Sequence, residues 1–370
     1  MTPTGRALVG APVVGLLVGL SVPAPVGEAG AATSACQPRT STGALPAVTA
    51  ADAGRLVMAA LPGPTLDAAT KQLVSARHLG GVLLFGRSVK SAVQLTALDK
   101  AIHAAAGARR IVISTDQEGG TVRRIPFAEP VASARAQAAL TDAQARALWQ
   151  KAGTQMRALG IDLDLAPVVD LALPKSFEGT RAASANPDTA GRVGAVSIEG
   201  LLAGGVGATA KHFPGLGGTA HSTDDQVVHA KAPTPAALKP FRTAVLAGTP
   251  VVMVDLAIHQ GLGTRPAAFA PKAYALLRGP LGFNGVAMTD ALDAAAARSV
   301  GTEAQNAVAA ICAGADMVIA PGSPVVAKGV MDAIAAAVKS GRLPHTRFAE
   351  AVGRVDALAK HPAHMPTPFD

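Results

Sequence analysis

Ile111-Val112-Ile113-Ser114-Thr115-Asp116-Gln117-Glu118-Gly119-Gly120 is a short, mostly apolar run that stops at two acids and an amide, with two glycines behind them. Continuous apolar runs of this length suit strands buried on both faces, the habit of parallel sheets. The same unit recurs on either side. Further candidate strands are residues 56–61, 81–85, 163–171, 207–210, 250–256, 286–289 and 317–320. The stretches between them read as amphipathic helices. Thr141 is placed to cap one, with Gln144 as capping-box partner and Gly160 as terminator. Helical patterns also fill 302–313 and 325–340, and the last helix ends near Lys360. Eight strands alternating with helices predict an α/β chain: a (β/α)8 TIM-type barrel, one domain over residues 51–360. A doubly wound open sheet is the alternative.

The flanks read differently. Arg6 is the only early charge, an apolar run covers 7–22, and Ala29-Gly30-Ala31 offers a cleavage pattern. Residues 1–31 therefore have the layout of a secretory signal peptide, which predicts a secreted or cell-envelope protein with no span in the mature chain. Residues 32–50 form an irregular lead and 361–370 a Pro/His-rich tail. A lipoprotein signal ending at Cys36 would prefer an aliphatic residue where Thr33 stands. Cys36 and Cys312 either pair, or Cys312 is a buried thiol in its helix. Two cysteines exclude a disulfide scaffold and a Cys-based zinc cluster. At 49% hydrophobic the chain is not disordered. Its net charge of +8 is scattered and its aromatics are only 3%, so a nucleic-acid partner does not fit. The glycine-rich stretches 205–210 and 215–220 lack the strand–glycines–helix order of a dinucleotide site and read as turns.

In such a barrel the chemistry sits at the C-terminal ends of the strands. Those ends hold Asp116, Gln117 and Glu118, then Asp170, Lys211 and His212, Asp255, and Asp290. In a chain that is 16% charged this concentration marks a binding or catalytic mouth. A carboxylate ringed by Lys and Arg stays ionised. Such a group can attack, or stabilise a cation, as glycoside hydrolysis requires at its oxocarbenium-like transition state.

Several motifs carry a resemblance. Gly80-Gly81-Val82-Leu83-Leu84-Phe85, Asp116-Gln117-Glu118-Gly119-Gly120 with Arg124, Ala166-Pro167-Val168-Val169-Asp170, Lys211-His212-Phe213-Pro214-Gly215, the segment 281–286 before Asp290, and Gly314-Ala315-Asp316-Met317 resemble glycoside hydrolase family 3. The pattern is most similar to the single-domain bacterial β-N-acetylhexosaminidase branch, which trims N-acetylglucosaminides of cell-wall (peptidoglycan) origin. The resemblance implies a carbohydrate substrate, no metal and no organic cofactor. It implies that Asp290 is the retaining nucleophile, and that Asp116, Arg124, Arg181, Lys211 and His212 bind the sugar.

One departure concerns the acid/base. The branch continues its Lys-His-Phe-Pro-Gly motif with His-Gly and then an Asp-Ser-His loop whose His is the acid/base. Here Leu216 stands at the first His, and Ser222-Thr223-Asp224 falls where Asp-Ser-His would be. Within residues 217–225, Asp224 ranks first by position as the replacement. His221 ranks second, because an imidazole titrates near neutrality, and Asp225 is also within the loop's reach. Two readings follow: an exported retaining glycosidase, or a sugar-binding or regulatory envelope protein that has lost turnover.

Overall fold

The computed structural model describes Cys36 and residues 48–363; the expected signal peptide lies outside the described residues. Eight strands close into one barrel, each parallel to both neighbours and in sequence order. They are β1 Val57–Ala60, β2 Gly81–Leu84, β3 Val112–Thr115, β4 Leu163–Asp164, β5 Gly207–Phe213, β6 Val251–Val254, β7 Val286–Ala291 and β8 Met317–Ala320. The barrel prediction holds and the open sheet is excluded, because β1 pairs with β8 as well as β2. Two strand extents depart most from expectation. Residues 163–171 yield only a two-residue ladder, since Pro167 has no N–H to offer. Bonding to β5 nonetheless continues past the ladder, with Thr209 N–H donating to Ala166 O and Val169 N–H to Lys211 O, both at 2.8 Å. Conversely, β5 runs on through Lys211 and His212 to Phe213.

The helices follow from their caps. α1 Ala68–Ala76, α2 Ala92–Ala106, α3 Asp142–Ala158, α4 Pro187–Ala203, α5 Pro235–Leu246, α6 Pro271–Arg278, α7 Glu303–Ala313, α8 Pro324–Lys339 and α9 His345–Lys360 surround the sheet. Thr141 with Gln144 and Thr302 with Gln305 form reciprocal capping boxes, so two orphan donors are satisfied at each helix start. Gly160 takes φ +89° just after α3, a conformation that side chains disfavour. α3 and α4 approach closely at Gly200, where a Cβ would sit 2.5 Å from that of Trp149. Trp149 is core, with its indole N–H donating to Gln137 Oε1 at 2.8 Å. Cys36 and Cys312 are joined as a disulfide, which ties the lead segment to α7.

The end of the barrel away from the strand C-termini is held by a buried carboxylate. Asp316, immediately before β8, accepts from Arg278, Arg347 and Arg354 and from the N–H of Ala287. Burial alone would raise its pKa; the three guanidinium charges reverse that and hold it at about 2. Removing one member of such a cluster strands buried charge. Asp316→Ala is expected to lose about 3–5 kcal/mol of stability, measured by denaturant unfolding.

Candidate active site

At the opposite end the strand termini surround a cavity of about 550 Å3, within the range of small-molecule sites. Asp116, Arg124, Arg181, Lys211, His212, Asp224 and Asp290 all line it. The strand-end charges divide into two tiers. Asp170 and Asp255 are buried and do not line this cavity. Asp170 accepts from His212 N–H (3.0 Å), His212 Nδ1 (2.8 Å) and Leu216 N–H (2.7 Å). Asp255 pairs with His259 Nε2 at 2.8 Å.

The Asp116–Gly120 segment is built for this. Gln117 is fully buried, accepts from Ile125 N–H at 3.0 Å and donates to Ile125 O and Ala128 O, both at 3.1 Å. It thereby folds 117–128 back so that Arg124 reaches the cavity. Gly119 adopts φ +90°, and a Cβ there would lie 2.2 Å from Ala132 O. Glu118 and Asp116 then meet the cations. Lys211 Nζ lies 2.8 Å from Asp116 and 2.7 Å from Glu118. Arg181 grips Glu118 through two bonds of 2.8 and 2.9 Å and Glu178 at 3.0 Å. Burial would raise the Glu118 pKa, but the Lys211 charge and the Arg181 pairing hold it down at about 2.

His212 extends the network. Burial works against its charged form, yet the Asp170 bond and the carboxylates of Glu178 and Asp170 hold its pKa up at about 9. Glu178 is pushed up to about 7 by burial. With Nδ1 committed to Asp170, the imidazolium keeps Nε2–H as a donor. Asp170, Glu178 and His212 also form the one group of metal-ligating type among the described residues, their ligand atoms within 4.8 Å of one another. A cation there would have to displace the Asp170–His212 bond and the Arg181–Glu178 pair.

Asp290 stands apart from this network. The expectation of a carboxylate ringed by Lys and Arg is met by Asp116 and Glu118, not by Asp290. Asp290 accepts from Ala291 N–H at 2.7 Å and shares its side of the cavity with Asp224 and Asp293. Burial, and then the charge of Asp290, raise the Asp224 pKa; Asp293 is raised by burial and by Asp290 as well. His221, Asp224 and Asp225 are all exposed, but His221 and Asp225 lie off the cavity wall. Of the two replacements ranked from sequence, only Asp224 faces the cavity. Asp293, Arg298 and Phe177 also line it and were not singled out from the sequence. Asp293, three residues after Asp290, was the readable signal.

The sequence model of the glycosyl hydrolase family 3 N-terminal domain matches residues 48–358. The chain belongs to this family. A β-hexosaminidase of Xanthomonas campestris pv. campestris (strain B100) is 36% identical over 282 residues, 71% of this chain and 83% of the relative. Among solved structures, a family 3 β-N-acetylglucosaminidase from Paenibacillus sp. str. FPU-7 superposes with TM-score 0.82 at 30% identity. It covers 86% of this chain, which spans 63% of that protein's length. The β-N-acetylhexosaminidase from Beutenbergia cavernae DSM 12333 has TM-score 0.80 at 29% identity, covering 86% of this chain and 100% of its own. The family 3 protein described here is thus a glycosidase, which hydrolyses O-glycosyl bonds.

The ion network sets the acid stability of this family 3 barrel. A carboxylate whose folded pKa is depressed contributes stability that is present above its unfolded value and lost as pH falls. For Glu118 that window runs from about 4.5 down to about 2. Lys211→Met removes the largest charge holding Glu118 ionised. The variant is expected to lose about 3–5 kcal/mol and to begin acid unfolding at higher pH than wild type, followed by circular dichroism.

Proposed function

We propose that this protein is an exported retaining glycosidase acting on β-linked N-acetylglucosaminides, with cell-wall fragments as the natural class of substrate. The relatives named above act on such sugars, and the leader-like residues 1–31 and the Cys36–Cys312 bond fit an oxidising compartment. Asp290 is the nucleophile and Asp224 the acid/base. One observation carries this assignment: both carboxylates line the same cavity, outside the cation network, and near enough that the charge of Asp290 helps raise the Asp224 pKa.

In the reaction, Lys211, His212, Asp116, Arg124 and Arg181 present fixed donors and acceptors to the sugar hydroxyls. Asp290 attacks the anomeric carbon while Asp224 gives its proton to the leaving oxygen. A covalent glycosyl-Asp290 results. Asp224, now ionised, takes a proton from water, which attacks the anomeric carbon and releases Asp290. The sequence departure at Leu216 and Asp224 thus exchanges one proton donor for another, which favours turnover over a binding-only role.

The raised pKa of Asp224 has a definite sign: its protonated form persists to higher pH than an ordinary aspartate, and activity falls as pH climbs through that pKa. Asp224→Asn is expected to remove this limb of the profile. It should cut turnover of an N-acetylglucosamine disaccharide by roughly 10²–10³-fold, while an activated aryl glycoside is cleaved far better in comparison. A mechanism-based fluorosugar is expected to label Asp290, read by mass spectrometry. Saturable sugar binding with neither labelling nor turnover would establish the binding-protein reading instead.

A further inference from the structure

The segment bearing Asp224 has no ladder of its own. Its entry is fixed, since Leu216 N–H bonds Asp170 and Phe177 N–H bonds Thr219 O at 3.0 Å. Its exit is fixed too, because His229–Ala230 pairs with Ile258–His259 beyond β6. Between these anchors the tip reaches past β6 to the segment that follows β7. There Ala295 N–H donates to Asp224 O at 3.0 Å, and Ala296 N–H donates to Thr223 O at 3.1 Å. Ala295 and Ala296 open a single helical turn, Ala295–Arg298. First-turn amides have no acceptor within their own helix, so these two are free to serve another segment. Thr223 is buried against that turn, while the carboxylate of Asp224 faces the cavity.

We propose that Ala295 and Ala296 are positioning residues for proton donation: their backbone N–H groups clamp the Asp224 loop onto the segment that carries Asp290. The inference rests on Asp224 being the acid and Asp290 the nucleophile. Only four residues separate Asp290 from Ala295 in the chain. One hydrogen bond then joins Ala295 to Asp224, so the clamp sets the two carboxylates in register through main chain alone. A proton donor on a loose loop would spend most of its time away from the leaving oxygen; the clamp removes that freedom before substrate arrives.

Proline tests this without rebuilding the turn. Proline is favoured at the first helical position, and Ala294 already has φ −58° and ψ 146°, the extended geometry that precedes proline. Ala295→Pro therefore deletes one donor and little else, and Ala295→Ser, which keeps the N–H, is the control. Ala295→Pro is expected to lower kcat on an N-acetylglucosamine disaccharide about fivefold, the value of one net hydrogen bond. On a 2,4-dinitrophenyl glycoside, whose departure needs no acid, kcat/KM, which reports glycosylation without the base-assisted second step, should change by under about twofold. Equal losses on both substrates, or no loss on the disaccharide, would overturn the clamp. Hydrogen exchange on the unmodified protein supplies a second readout, since protection at Ala295 and Ala296 reports these bonds specifically. Free exchange there would also overturn it. Failure of the underlying assignment reads differently: Asp224→Asn would then cleave the disaccharide as wild type does.

Discussion

Lys211 sits with its ammonium between Asp116 and Glu118, nearly sealed from water, and much of the site depends on that contact. A buried ammonium without partners would lose its proton, and two adjacent buried carboxylates would share one. Together, Lys211 and Arg181, on the far side of Glu118, hold that carboxylate ionised, and the carboxylates in turn hold both cations charged. The cluster ties β3 and its following loop to β5 and to the turn at Glu178–Arg181. It fixes a polar floor that need not reorganise when a sugar binds, which is how preorganised charge contributes to catalysis.

The same economy explains why the proposed nucleophile and acid stand elsewhere. A nucleophile salted into Lys211 or Arg181 would be anchored by strong bonds and slow to leave them. Asp290 instead shares its side of the cavity with Asp224 and Asp293, whose pKa values are pushed upward by desolvation and by the charge of Asp290. Two environments within one cavity thus separate carboxylates paired with cations from carboxylates whose pKa is pushed upward, the pattern by which enzymes assign acid and base roles to chemically identical side chains. The other end of the barrel uses buried charge for stability alone, through Asp316 and its three arginines.

Much of this was legible beforehand. The eight apolar runs and the capping box at Thr141 announce the barrel, because burial on two faces and unsatisfied helix amides leave local marks in sequence. Asp116, Lys211, His212 and Asp290 were readable because strand ends face the mouth. Asp170 and Asp255 sit at equivalent strand ends yet are buried and do not line the cavity, and nothing in their neighbours announces that. Asp293 and Arg298 are less legible because they lie two and seven residues beyond the end of β7, off the strand-end positions.

Sequence alone determined the barrel, the family and the residue types at the strand ends, since each rests on periodicity or on motifs within a few positions of one another. Tertiary structure alone decided which carboxylate each cation serves, that Asp224 faces the cavity while His221 does not, and that the Asp224 loop is bonded to the turn after Asp290. Those are contacts between segments some 70 to 95 residues apart in the chain, such as Lys211 with Asp116 and Asp224 with Ala295. Pairings across that distance are set by how the strands close on one another, and local composition carries no record of them.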